Sequence, residues 1–260
     1  MSDVQGLLQR RPAALVDLDR TVAAVELDGA EVSPPVLAAT AWPSNAELIE
    51  DVAKLRYLRL TDRVLDPTYG RGVWWRRWRP VELVTHDVKL DGVDFRRLPE
   101  ASSSFDAVAF DPPYVSVGGR KTTGMPDFHD RYGLGPAPSS PAELQQMIDA
   151  GLVELARVLR PHGVLLVKCA DYISSGRLWP GTHLTLSTAL EIGFELIDRL
   201  EHVARRPRSQ PPRTRADGQP VRQQHSRRNL STLLVLRAPV PSSKEIAGQV
   251  SLLDGEAPDA

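Results

Sequence analysis

FDAVAFDPPY, residues 105–114, runs from an apolar stretch straight into a carboxylate, two prolines and an aromatic ring. The run from Phe105 reads as a strand ending at Asp111. In an open α/β sheet, ligands sit at the carboxyl ends of the strands, so the residues just past such a strand are the first place to look for chemistry.

Outward from this stretch, strands and helices alternate as they do in a parallel sheet covered by helices. RVLD (63–66), VELVTHD (81–87) and GVLLVKC (163–169) read as strands, and AELQQMIDAGLVELARVLR (142–160) as the helix before the last of them. HLTLSTALEIGF (183–194) reads as another helix and NLSTLLVLR (229–237) as a closing strand. Upstream, Ser44 is followed three residues later by Glu47, a capping-box spacing, and Leu48, Val52 and Leu55 share one face of the helix it starts. The expected fold is α/β, a doubly wound and mostly parallel sheet. Residues 13–38 suggest a hairpin turning at Asp28-Gly29 or a loosely attached extension. The domain reading is therefore an extension over 1–40, one main domain over 41–238 and a mobile tail over 239–260, rich in Pro, Ser, Gly and Asp.

Composition agrees with one main core: 260 residues at 42% hydrophobic content suit a single substantial domain. The net charge is only -1, but Asp17, Asp19, Glu26, Asp28 and Glu31 lie near the start while arginines crowd residues 199–228. That asymmetry points to a polyanion-facing region late in the chain. Cys169 is the only cysteine, which excludes an intramolecular disulfide and a cysteine-rich zinc site, and no metal is expected. No leader-like apolar segment opens the chain and no run reaches the roughly 20 residues of a membrane span, so a cytoplasmic location without membrane contact is expected.

The first strand ends in Asp66-Pro67-Thr68-Tyr69-Gly70-Arg71-Gly72. Glycines just after a strand let the backbone approach a ligand closely, and Asp66 is suited to accept from a cationic amine or to orient a water. A dinucleotide fingerprint would need a third glycine where Trp75 stands, so that reading is weakened. Asp87, at the next strand end, suits ribose hydroxyls, and Asp94 with Phe95 suits an adenine amino group beside an apolar contact.

Asp111-Pro112-Pro113-Tyr114 resembles the catalytic motif of the amino methyltransferases, which methylate exocyclic nitrogens of bases with S-adenosylmethionine. DPTYGRG is similar to that family's glycine motif, Asp-Pro, then Phe or a similar residue, then x-Gly-Ser/Thr-Gly, with Arg71 in the Ser/Thr slot, and RRNLSTLLVLR resembles its last strand. The likeness spans most of residues 42–237 and is nearest to small DNA-methylase-like proteins of phages and actinobacteria. It implies a Rossmann-like class I methyltransferase with a final antiparallel strand, S-adenosyl-L-methionine as cofactor and DNA as partner. The implied target is adenine N6 ahead of cytosine N4. Catalysis would fall to Asp111, Pro112, Pro113 and Tyr114, and cofactor binding to Asp66, Pro67, Thr68, Gly70, Gly72, Asp87, Asp94 and Phe95. Trp42-Pro43-Ser44 lies where the family touches the methionine part of the cofactor, and reads equally as a capped helix start.

The chemistry explains the residue types. An exocyclic amine is a poor nucleophile because its lone pair is delocalised into the ring. Asp111 and the Pro112 carbonyl can accept its two hydrogens and favour a pyramidal nitrogen, while the prolines stiffen the backbone. Tyr114 offers a face to a base turned out of its helix. Transfer to cytosine carbon five is disfavoured, since it needs a cysteine nucleophile and Cys169 sits inside an apolar strand. An RNA base methyltransferase and a non-catalytic binding module are the alternatives.

Two segments are candidates for nucleic-acid contact. Residues 115–141 form a long glycine-rich connection in which Arg120, Lys121 and Arg131 could meet phosphates and Phe128, His129 and Tyr132 could stack. Residues 205–228 carry Arg213, Arg215, Arg227 and Arg228 among eight arginines. Lys168 ends its strand and reads either as a pocket residue or as a solvated terminus.

Overall fold

The computed structural model describes residues 42–113, 138, 140–203, 217–219, 225–226 and 230–240. The expected N-terminal extension, the glycine-rich connection except its last residues, nearly all of the basic stretch and the tail from 241 lie outside them.

Helix α1 (Asn45–Lys54) begins as the sequence predicts: the Glu47 N–H donates to Ser44 Oγ at 3.4 Å, and the Ser44 hydroxyl donates to the Glu47 carboxylate at 3.0 Å. Strands β1 (Arg63–Asp66), β2 (Glu82–Thr85) and β3 (Phe105–Phe110) come next, then α2 (Pro141–Val158) and β4 (Leu159–Cys169). A short hairpin, β5 (Tyr172–Ser174) and β6 (Arg177–Trp179), leads into α3 (Gly181–Ile192), and β7 (Glu195–Val203) and β8 (Leu230–Arg237) complete the order.

Six strands form one sheet in the order β2-β1-β3-β4-β8-β7. The first four are parallel, and β8 runs antiparallel to both β4 and β7. The predicted Rossmann-like, doubly wound sheet with one antiparallel closing strand is thus present.

Period-two alternation divides the strand side chains between two cores. Val64, Ala107, Ala109, Leu166, Leu233 and Val235 face α1, where they meet Leu48, Ile49 and Val52. Val108, Phe110, Leu165, Val167, Leu234 and Leu236 face α2 and α3. The matching stripe on α2 is Leu144, Ile148, Leu152 and Leu155, at the three- and four-residue spacing of one helix face.

Some details depart from the expected pattern. The helix expected over 142–160 stops at Val158, because Pro161 pushes the residues before it toward extended backbone, and β4 accordingly starts at Leu159. Strand β7 is hidden in the sequence because a register shift between Leu196 and Asp198 interrupts its alternation. The β5-β6 hairpin, three residues a side, is too short to announce itself by pattern.

Between β2 and β3 no helix forms among residues 86–104, and the chain plugs the core directly. Phe95 and Leu98 are buried there, with Phe95 edge-on to Phe110 at 5.0 Å between centroids. The segment is pinned to the end of α2: Arg157 donates to the carbonyls of Glu100 and Leu98, and Glu154 accepts from the Leu98 N–H at 2.7 Å. The Phe95 ring presses on Gly151, where an added Cβ would stand 2.8 Å from it. Gly151→Ala is therefore expected to destabilise the fold by about 1–3 kcal/mol through overpacking, read as a lower urea midpoint with unchanged slope.

Candidate active site

The parallel strands all end on the same side of the sheet, and three of them end in charge: Asp66 on β1, Asp111 just past β3 and Lys168 near the end of β4. Asp66 and Lys168 stand two residues beyond Val64 and Leu166 and so point to the α1 side of the sheet. Asp111 bonds on that side as well, to Trp74 of the same core.

Asp66 is 5% exposed. Its Oδ1 accepts from the Thr68 N–H at 3.0 Å and from the Thr68 hydroxyl at 3.4 Å, and its Oδ2 accepts from Trp75 Nε1 at 2.7 Å. The Thr68 hydroxyl in turn accepts the backbone N–H of Asp111 at 2.9 Å. One side chain therefore joins the two segments that the sequence singles out, 43 residues apart. Trp74 Nε1 donates to Asp111 Oδ2 at 3.2 Å.

Sequence reasoning misses both tryptophans as site residues. Both come from a 3-10 turn, Val73–Trp75, that begins right after Gly72. Gly72 has a left-handed φ of +62° and a Cβ there would fall 2.5 Å from the Tyr69 hydroxyl, so glycine is strongly favoured where the chain comes round. The signal that could reveal them is a pair of donor-only indoles immediately after a glycine turn bounded by a carboxylate.

Asp87 lies past the end of β2 and accepts the Gly70 N–H at 3.0 Å, so the second strand end closes against the glycine turn. The link is extended by the backbone, His86 N–H to Asp66 O at 2.9 Å and Tyr69 N–H to His86 O at 3.0 Å. His86 is clamped between Asp91 at 2.6 Å and Glu100 at 2.7 Å. Burial alone would lower its pKa, but these two carboxylates outweigh that and raise it.

Other expected residues are placed differently. Asp94 accepts from Arg96 Nε on both oxygens at 3.0 Å, and this fork outweighs the effect of burial and holds its carboxyl below the usual range. Phe95 is 3% exposed and belongs to the core. Pro67, Pro112 and Pro113 are buried beside the strand ends. Lys168, at 2% exposure, is no solvated terminus: its Nζ donates to Asn45 Oδ1 at the start of α1 and lies 3.2 Å from His202 Nδ1. Trp42 donates to Asp51 at 2.9 Å and is buried against α1, as a packed helix start would have it. Tyr114, Arg120, Lys121, Arg131, Arg213, Arg215, Arg227 and Arg228 lie outside the described residues.

Burial pushes the Asp66 carboxyl up to about 7, against the pull of the Trp75 and Thr68 hydrogen bonds and with help from the negative charge of Asp111. A carboxylate poised there is relieved by a cationic ligand. Cys169 is buried too, and burial lifts its thiol to about 12, which leaves it unsuited to act as a nucleophile.

No family model matches the chain, and no curated protein does. Among solved structures it is similar to the cyclase SpnF, at 16% identity over 75% of this chain and 82% of that one with a TM-score of 0.45. It is similar to TrmN from Thermus thermophilus, at 17% identity over 74% of this chain and 48% of that one with a TM-score of 0.43. A proposed DNA modification methylase from Thermus thermophilus, solved with S-adenosyl-L-methionine, shares 16% identity over 58% of this chain and 57% of that one with a TM-score of 0.37. Likeness this distant says nothing of substrate, which the residues of this chain must decide.

Because the folded pKa of Asp66 is raised, its contribution to stability is complete below the unfolded value near 4 and is lost as pH rises through about 7. Asp66→Asn is expected to flatten that decline and to raise the unfolding midpoint of the ligand-free protein at pH 8. Urea titrations of both proteins at pH 5 and pH 8 check this.

Proposed function

We propose that this chain is an S-adenosylmethionine-dependent methyltransferase acting on an exocyclic amino group of a DNA base, adenine N6 ahead of cytosine N4. The observation that most supports the reading is the Thr68 bridge, which draws the Asp66 end of β1 and the Asp111 end of β3 into one hydrogen-bonded unit.

The residues fit the cofactor. Its sulfonium and amino group are cationic, and Asp66 is a buried carboxylate whose charge such a partner would stabilise. Pro67, Thr68, Gly70 and Gly72 form the turn that would line it, and Asp87 is the carboxylate at the second strand end for its ribose. When bound, S-adenosylmethionine would supply an electrophilic methyl group, with its sulfonium sulfur as the leaving group that keeps the electron pair.

The chain's own part is to prepare the nitrogen. Asp111 accepts one amine hydrogen and the Pro112 carbonyl the other, which draws the lone pair out of conjugation. Asp111 also takes up the proton that the amine must lose. Pro113 stiffens the segment, Tyr114 stacks on the extruded base, and Arg120, Lys121, Arg131, Arg213, Arg215, Arg227 and Arg228 meet phosphates. A cytoplasmic location, with the catalytic domain over 41–238, belongs to the same reading; no helix among the described residues is long and apolar enough to cross a membrane.

Asp111→Ala is expected to lower methyl transfer to DNA by about 100-fold or more while S-adenosylmethionine affinity, read by calorimetry, stays within a few-fold. Asp66→Ala should do the reverse and weaken cofactor binding first. Turnover near the wild-type rate in Asp111→Ala would remove Asp111 from the chemistry.

A further inference from the structure

We infer that Trp74 and Trp75 are paired positioning residues: one short turn delivers two indole N–H donors that fix the two strand-end carboxylates, Trp74 on Asp111 and Trp75 on Asp66. The assignment rests on the functional reading above for what the two carboxylates do, and on the structure for the clamp itself.

The geometry is specific. The side chains are consecutive, yet in a 3-10 turn with three residues per turn neighbours diverge by a third of a circle, so the two indoles reach different strands. Both rings are buried, at 6% and 7% exposure, where an N–H requires an acceptor. Each finds one carboxylate oxygen, at 3.2 Å for Trp74 and 2.7 Å for Trp75.

An indole suits this task because it can only donate. Its bond to a carboxylate strengthens as the oxygen gains negative charge, so it favours the ionised form without offering a competing site for a proton. Holding Oδ2 of Asp111 also restrains the rotation of that carboxylate, and with it the direction of the other oxygen. An acceptor held in place beforehand needs no reorganisation when charge develops on the amine. The 3-10 turn follows directly on Gly70 and Gly72, so the segment that lines the proposed cofactor site leads straight into the one that orients the residue acting on the substrate.

The division of labour is testable with indole N–H deletions. Trp74→Phe is expected to lower kcat about 10- to 100-fold with S-adenosylmethionine affinity within about twofold. Trp75→Phe is expected to weaken that affinity at pH 7 by a similar factor and to recover it at higher pH, because loss of the donor moves the Asp66 titration upward. Phenylalanine also removes ring volume, so the same positions are tested with 3-benzothienylalanine, which replaces the N–H by sulfur and keeps the bicyclic shape.

A readout without any ligand separates the clamp from the functional reading. Carbon-13 titration of the aspartate carboxyls in the free protein should show the Asp66 midpoint rise with benzothienylalanine at 75, and the Asp111 carboxyl signal alone shift with it at 74. Unmoved carboxyl signals in both proteins would overturn the clamp, as would equal losses of kcat and affinity in both tryptophan variants. Shifted signals in a protein that transfers no methyl group would sustain the clamp and sink the function.

Discussion

A carboxylate, Asp66, sits almost wholly out of water at the end of the first strand, and much of the surrounding structure answers that one fact. Burying a carboxylate is unfavourable unless donors surround it. Thr68 supplies two and Trp75 a third, and to bring Trp75 back to Asp66 the chain must turn sharply within nine residues. Gly72 makes that turn. Even so, Asp66 titrates near neutrality, so the ligand-free protein holds an unfavourable charge that a cation would relieve. Stability is given up at the position where binding is proposed, an exchange common at functional sites.

The sheet supplies the precision. Two cores on opposite faces hold the strands in register, so residues far apart in sequence meet at the strand ends with little freedom. Where a covering helix is missing, over 86–104, side chains of the connecting segment fill its place and hydrogen bonds from α2 hold it. The His86 clamp fixes the same segment from its other end, and so fixes Asp87 against Gly70.

Much of this is legible in the sequence because it rests on short-range rules. The strands expected at 63–66, 105–111 and 163–169, the Ser44 cap and the helix that precedes β4 come from periodicity and capping alone. The convergence of Asp66 and Asp111 is also implied once both are placed at ends of parallel strands. The features that escape are those that depend on contacts between segments. Phe95 looks like a ligand contact because its neighbour is an aspartate at a strand approach, but the missing helix draws its ring into the core. Asp94 is occupied by Arg96, two residues on, a pairing that spacing does not reveal. Trp74 and Trp75 read as bulky apolar residues, and only the fold shows that their N–H groups are what they contribute.

The most direct test is nucleoside mass spectrometry of unmodified DNA, with total RNA in parallel, after incubation with the purified protein and S-adenosylmethionine carrying a trideuterated methyl group. The account predicts a label on an exocyclic amine of a DNA base, N6-methyladenine first and N4-methylcytosine as the other form of the same chemistry. Label confined to RNA, label at cytosine carbon five, or no label on any base would contradict it.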